Sequence, residues 1–507
     1  MVKFGFVRAV IVVASLLATA LAPAAIAQDA RITFLHVNDI YVMEGKDGSG
    51  LAPLMTLIGR ERDRARGQAL TTFGGDLISP SALSSQTRGR HMIAMMNAIG
   101  VQAAVPGNHE FDFGSEVLRK RVAESGFPWF ASNVRDRNGA SLAGTEDTRL
   151  VTLNGIKIGL FGLLTPETRT LSKPGSAVRF DPPVEAARRA VGDLKSRGAE
   201  VVVALTHLHL DDDLALARAV PDIDLILGGH EHYPIAIARS GALVAKAGQD
   251  ARYLAVIDVD IYREANGPGT RTEVRPVHWR FLATRGVSPD SVVAALIDRI
   301  RARSDATLDE RVGVTETALD GRRAVVRGGE STLGNLMADS LRIATGADAA
   351  LINGGGIRGD RLIPPGSPLT RRDIMEALPF GDVTVVVELD GATLRRTLEH
   401  GVSIAQRLAG RFLQVSGLAF TWDRAGASGA RVRAVTIGGA PIDPARTYRI
   451  AVGAYIAGGG DGYAMLKSAK RIPNAVPGFK LASLLIDHSA RLSTVALRIE
   501  GRILEAQ

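Results

Sequence analysis

Five apolar runs in the first half of the chain stop on a side chain that can bind a metal rather than on an ordinary turn residue. From residue 31 to about 260, short runs rich in Val, Ile, Leu and Ala alternate with helical segments; FLHVNDIY, ALTTFGGD, AAVPGNHE, KIGLFGLLTPE, EVVVALTHLH and DLILGGHEH are the clearest. Apolar runs of this length read as buried strands. Their polar ends are Asp39, Asp76, Asn108 with His109, His207, and His230 with His232. One at a time, each has a bland explanation: an Asp after Gly-Gly is a turn residue, and a His closing a strand is a satisfied core or loop histidine. The bland explanations weaken together, because the carboxyl ends of strands are where α/β folds build their sites. The chain has ten histidines, and five of them lie in AAVPGNHE, EVVVALTHLH and DLILGGHEH alone.

Composition narrows the chemistry. There is no cysteine, so disulfides and thiolate ligands are excluded. Oxygen and imidazole donors without thiolate suit two hard or borderline divalent cations, Zn²⁺, Mn²⁺ or Mg²⁺. A carboxylate such as Asp76 can bridge such a pair. Two metals about 3.5–4 Å apart make hydroxide from water, polarise a phosphoryl group and hold attacking and leaving oxygens in line. The formal charge of +8 falls by two if Lys3 and Arg8 are removed, and acids are mixed in throughout. With 5% aromatic residues, a stacking platform for a nucleic acid polymer is not expected.

A length of 507 residues calls for two or three domains. Residues 1–27 read as a secretory signal peptide: Lys3 and Arg8, an apolar run over roughly 9–22, and Ala25-Ile26-Ala27 before a cleavage point at Gln28. The expected location is therefore periplasmic or secreted. No other stretch is long and apolar enough to span a bilayer, and no stable membrane partner is expected. SPDSVVAALIDRIRARSD reads as a helix between domains, with a cap at Ser288 and Pro289 at its first position. After about residue 325 a second α/β unit begins, containing LINGGGIR, VTVVVELDG and YRIAVGAYIAGGGDGY.

The order ND-x-x, GGD, GNHEFD, TH, GGHxH, then NGGGIR, PFG and GGDGY resembles the secreted 5′-nucleotidase / UDP-sugar hydrolase / 2′,3′-cyclic phosphodiesterase family over nearly the whole mature chain. The resemblance implies a mixed α/β (α+β) protein: a calcineurin-like metallophosphoesterase domain at 28–285, a four-layer β-sandwich flanked by helices; a linker helix region at 286–325; and a C-terminal α/β substrate domain at 326–507. It implies that Asp39, Asp76 and His232 hold one metal, and that Asp76, Asn108, His207 and His230 hold the other, with Asp76 bridging. His109 would face the scissile phosphate, oriented by Asp112. Glu110 reads as structural and His209 as a loop histidine.

In the second domain, the three glycines of NGGGIR alone would only permit a tight turn. The resemblance adds that Arg327, Asn353 and Arg358 hold the polar groups of a nucleotide. Phe380 and Tyr455 would sandwich its base, with Asp461 nearby, and the two domains would rotate about the linker. The implied substrate is a small-molecule nucleotide. UDP-sugars and 2′,3′-cyclic nucleotides remain alternatives, as do a sulfur-ester hydrolase and a non-catalytic nucleotide-binding protein. One position departs from the pattern: Tyr41 stands where the family has a histidine ligand. A neutral phenol is a poor ligand, so a water in the missing ligand's place is the expectation there.

Overall fold

Successive residues of the core strands feed different cores. In the strand Ala30–Val37, Ile32 and Phe34 enter one apolar cluster, and Leu35 and Val37 enter another. In the strand Val201–His207, Val201, Val203 and Leu205 share the first of these clusters, while Val202 and Ala204 enter a third. Side chains alternate across a strand, so a sheet of such strands must be covered on both faces. The computed structural model describes residues 29–506 apart from 46, 143, 267–268, 304 and 473–479. The expected signal peptide lies outside the described residues.

Two mixed sheets meet that demand. The first runs in the order Gly269–Ala283, Tyr253–Asn266, Ala30–Val37, Ala69–Phe73, Ala103–Ala104. The second runs Pro234–Arg239, Ala242–Ala247, Leu225–Gly228, Val201–His207, Ile156–Leu164, Thr148–Leu153. Their inner faces pack on each other through Phe34, Leu70, Leu160, Val203 and Ile257. Helices Leu51–Arg64, Arg90–Ile99 and Ser115–Glu124 cover the outer face of the first sheet. Pro183–Ser196 and Leu210–Ala219 cover that of the second. The result is the expected four-layer sandwich of helices, sheet, sheet and helices.

Register brings the polar strand ends together. Val37 lies opposite Phe73 in a parallel pair, and Thr206 lies opposite Gly228 in another. The segments that follow, carrying Asp39, Asp76, His207 and His230, therefore leave at one edge. His36 fastens the two sheets just below that edge, its ring 2.9 Å from both Thr72 Oγ1 and the Gly228 carbonyl. Burial pushes its pKa down to about 4, so the ring is neutral.

The second unit repeats the logic with one central sheet in the order Leu413–Ser416, Ala349–Asn353, Thr447–Gly453, Thr384–Asp390, Lys470–Arg471. Ala349 and Leu351 pack with Leu394 and Leu398 of the helix Gly391–Val402. Ala350 and Ile352 pack with Leu336 and Leu485, from the helices Thr332–Thr345 and Leu481–Leu492. The strands Ala349–Asn353 and Thr447–Gly453 are parallel neighbours, so NGGGIR and the segment holding Tyr455 start side by side.

Between the units, the helix Ser291–Ala302 buries Val293 and Ile297 in the core beneath the first sheet. The strand Arg311–Thr315 pairs instead with Pro368–Thr370 and Thr494–Val495. The helix start differs from the expectation. Asp290, not Ser288, is the cap, its carboxylate accepting from the amides of Val292 at 3.0 Å and Val293 at 2.9 Å; Pro289 stands outside the helix. Asp and Ser are comparable caps, and the one adjacent to the first turn reaches two free amides. Asp290→Ala should therefore lower the unfolding free energy by about 1 kcal/mol, read from urea denaturation, whereas Ser288→Ala should leave it unchanged.

Candidate active site

The residues at the strand ends hold backbone conformations that side chains rarely adopt. Asp39, Asp76 and His230 have φ of 53°, 64° and 81°, in the left-handed region, which clusters at functional sites when surrounding structure enforces it. Here the enforcement is visible. The Asp39 amide donates to Gly75 O at 2.8 Å and the Ile40 amide to Asp76 O at 2.9 Å. The buried Glu110 carboxylate accepts from the amides of Gly107, Asp76 (2.8 Å), Leu77 (2.6 Å) and Ile78 (3.0 Å). Glu110 is structural, as read, and it clamps the turn that carries Asp76 to the turn that carries Asn108 and His109. Two glycines make the close approach possible. A Cβ at Gly107 would lie 2.2 Å from Asp76 Oδ1, and one at Gly229 would lie 2.2 Å from the Gly74 carbonyl.

One set of the expected donors fits a metal ion as it stands. Asp76, His207 and His230 present ligand atoms that all lie within 4.8 Å of one another, the one such group of three among the described residues. His207 Nδ1 is 2.8 Å from the Gly74 carbonyl and donates to it, which leaves Nε2 directed at Asp76 Oδ2, 3.2 Å away. Burial opposes charge on His207, but the Asp76 carboxylate outweighs it and pushes the pKa up to about 10. Asn108 Oδ1 is buried with no hydrogen-bond partner. A buried acceptor without a donor calls for an ion or a water, and a divalent cation among Asp76, Asn108, His207 and His230 would supply what each lacks.

The other set is arranged differently. Asp39 Oδ1 and His232 Nε2 are 3.3 Å apart, but the Tyr41 hydroxyl stands among the donors, 3.0 Å from Asp39 Oδ1, 3.1 Å from Asp76 Oδ2 and 2.9 Å from His232 Nε2. The phenol itself thus takes the place where a water was expected. Burial, and then the Asp39 and Asp76 carboxylates, push its pKa well above the ordinary value.

His109 and Asp112 form a pair. His109 Nδ1 lies 2.7 Å from Asp112 Oδ2, and Asp112 Oδ1 accepts from Ser172 Oγ at 2.7 Å. Burial works against charge on His109, yet Asp112 and Asp76 together raise its pKa. Its Nε2 faces the cleft, 3.9 Å from Asp76 Oδ2 and 3.1 Å from Arg358 Nη2. Phe380 stacks on the His109 ring at 5.8 Å and 17°, and Arg358 Cζ lies 5.2 Å from the Phe380 centroid.

The remaining residues expected to serve recognition line the same cleft, of about 470 Å³, at the boundary of the two units. Arg327 is buried; that burial, with Arg358 and Arg323 nearby, pushes its guanidinium down to about 9. Asn353 Nδ2 donates to Asp461 Oδ2 at 2.6 Å. Tyr455 donates to the Thr170 carbonyl at 2.6 Å, across the boundary, and its hydroxyl lies 3.2 Å from Asp461 Oδ1. Asp39 and His207 stand behind the cleft wall, fully buried. His209 sits at the rim, its Nε2 3.1 Å from Glu167 Oε2 and its ring edge-on to His230.

Several participants were not legible beforehand. Ser172 completes the Asp112 carboxylate, and Lys173 bonds Asp382 across the boundary at 3.0 Å. The most consequential is Lys246, fully buried in the strand Ala242–Ala247. Its ammonium donates to the carbonyls of Leu208 and Gly229, each at 2.8 Å, and to Glu231, and pairs with Asp213 at 2.8 Å. It holds the loop that carries His230 and His232. A lone lysine inside ALVAKA was the available signal; its acidic partners are far off in sequence. Lys246→Met should cost about 3–5 kcal/mol by leaving buried acids unpaired. Urea denaturation reads that loss, and a cost under 1 kcal/mol would show that the loop is held by other means.

Two family profiles match the chain: calcineurin-like phosphoesterase over residues 32–234 and 5′-nucleotidase, C-terminal domain, over residues 311–468. The trifunctional nucleotide phosphoesterase protein YfkN of Bacillus subtilis is 29% identical over 94% of this chain, which spans 35% of that protein's length. A snake venom 5′-nucleotidase of Gloydius brevicauda is 26% identical over 94% of this chain and 88% of its own. The crystal structure of a 5′-nucleotidase precursor from Thermus thermophilus superposes with a TM-score of 0.79 at 31% identity, covering 94% of this chain and all of that one.

Proposed function

Because the chain belongs to the 5′-nucleotidase family of calcineurin-like, metal-dependent phosphoester hydrolases, we propose that it releases phosphate from nucleoside 5′-monophosphates. Residues 28–285 would carry the hydrolytic site and residues 326–507 the recognition site, joined through 286–325. The observation that carries this reading is the contact between His109 Nε2 and Arg358 Nη2. With His109 protonated, both atoms are donors facing each other across the cleft. An acceptor between them, such as a phosphate oxygen, would satisfy both. Arg327 adds a second planar fork suited to phosphate or ribose oxygens.

Calcineurin-like metallophosphoesterases use two divalent metals, which when bound activate water and polarise the phosphoryl group. We assign one ion to Asp76, Asn108, His207 and His230, and the other to the neighbourhood of Asp39, Asp76 and His232. His109, held by Asp112, would place its Nε2 proton on the oxygen that gains charge as the ester breaks. Glu110 fixes the turns, and Asp461 with Asn353 and Tyr455 would receive the nucleoside. The aromatic and arginine sets favour a substrate bearing a base over a sulfur ester. Entry of a base beside Phe380 would part the Phe380–His109 stack, in keeping with rotation about 286–325. The reading of residues 1–27 as a signal peptide places this hydrolysis in the periplasm or outside the cell. Among the described residues no helix is long and apolar enough to cross a membrane.

A phosphate-release panel over nucleotides, UDP-sugars, 2′,3′-cyclic nucleotides and p-nitrophenyl phosphate tests the proposal. Nucleoside 5′-monophosphates should give the highest kcat/KM; a preference for the base-free ester would overturn it. His109→Ala should lower kcat by roughly 10²–10³-fold with KM little changed, since its bond is made to developing charge. Phe380→Ala should raise KM for nucleotides by about 10- to 100-fold, as expected for ~1–3 kcal/mol per stacked base, while p-nitrophenyl phosphate turnover holds. An equal loss on both substrates would make Phe380 a prop for His109 instead.

A further inference from the structure

The Tyr41 hydroxyl is the hub of three groups that ought to converge on an ion. Ligand atoms bound to one small divalent ion at about 2.0–2.2 Å can stand at most about 4.4 Å apart. Asp76, His207 and His230 come close to that arrangement, and among the described residues they are the group that does. Asp39, Asp76 and His232 instead surround an oxygen that is 2.9–3.1 Å from each of them. The side chain that carries it is wedged edge-on between the rings of His109, at 5.8 Å, and His232, at 5.5 Å.

At this hub the phenol can satisfy hydrogen bonds but not charge. A phenol has one proton to give, and carboxylates only accept. The hydroxyl can therefore serve Asp39 or Asp76 but not both, although the Nε2–H tautomer of His232 can donate to it. Asp76 Oδ2 also has His207 Nε2 at 3.2 Å, so the phenol proton falls to Asp39. A neutral phenol cancels neither carboxylate, and the corner keeps the negative charge that draws a cation while the phenol stands in its path. Tyr41 also lines the open cleft, which gives its side chain somewhere to go.

We propose that the Tyr41 phenol is a displaceable plug in the first metal position. One divalent ion is held tightly by Asp76, Asn108, His207 and His230, and a second binds at Asp39, Asp76 and His232 only when the phenol withdraws into the cleft. The inference rests on the phosphoesterase reading above, and it makes loading of the two positions sequential rather than equivalent. Metal identity enters as well: an ion with a stronger hold on carboxylate and imidazole displaces the phenol at lower concentration.

Calorimetric titration of the metal-stripped full chain with Mn²⁺, with bound metal counted after dialysis, tests it. Wild type should show one tight and one weak step and retain about one ion. Tyr41→His and Tyr41→Ala should each tighten the weak step by about 10–100-fold, the usual scale for a changed ligand environment, and retain about two. Should Tyr41→Ala fail to fold, as circular dichroism would show, Tyr41→His carries the test. Two equal tight steps in wild type, or a weak step unmoved in the variants, would overturn the proposal. So would a phenolate absorption band appearing as metal binds, because Tyr41 would then be a ligand. Absence of phosphate release by fully loaded wild type would fail the functional reading while leaving the metal count intact.

Discussion

The Asp76 carboxylate is the contact on which the site depends. Its Oδ1 accepts from the His109 amide at 2.9 Å, and its Oδ2 lies 3.2 Å from His207 Nε2 and 3.1 Å from the Tyr41 hydroxyl. Burial alone would raise its pKa, but His207 and His109 hold it well below the usual carboxylate range. The residue is left-handed, with φ of 64°, a conformation that costs on the order of 1–3 kcal/mol and persists only where it is over-determined. Glu110 does that by taking the amides of Asp76, Leu77 and Ile78. The two-sheet core is what allows it: parallel strands in register deliver several loops to one edge, and glycine at 107 and 229 lets those loops touch.

Around that carboxylate two kinds of chemistry share one cleft. The first unit contributes the proposed hydrolytic groups, nearly all buried, with partners fixed by backbone amides and carbonyls. The second contributes Arg327, which lines the cleft, and Arg358, Phe380 and Tyr455, which line it and reach across it. Arg358 and Phe380 both touch His109, so under the proposed function recognition and bond cleavage would meet at a single imidazole. Among the described residues the boundary is otherwise held by few polar contacts: Lys173 with Asp382, Tyr455 with Thr170, and Ser85 Oγ with the Pro379 carbonyl. Contacts so few can be exchanged without disturbing either core.

Much of this was legible in the sequence because strand-end polarity is a local signal. Asp39, Asp76, Asn108, His207, His230 and His232 stand out as breaks in apolar runs, and the fold gathers them at one edge. The layer order follows from strands with apolar residues on both faces. What stayed hidden depends on partners distant in sequence. Lys246 meets Asp213 and Glu231 only in three dimensions, and Ser172 meets Asp112 from a different loop. The cap at Asp290 rather than Ser288 turned on which side chain reaches the first turn. At Tyr41 the residue type was informative but its direction was not: a phenol pointing out would leave room for water, and this one points in.

The central claim is that Asp76 is shared by both metal positions while Asp39 serves only one. Metal content of Asp76→Ala and Asp39→Ala, measured side by side on folded protein, tests it most directly. The account predicts that Asp76→Ala retains no tightly bound ion, whereas Asp39→Ala keeps the ion held with Asn108, His207 and His230. Retention of that ion by Asp76→Ala, or its loss from Asp39→Ala, would contradict the account.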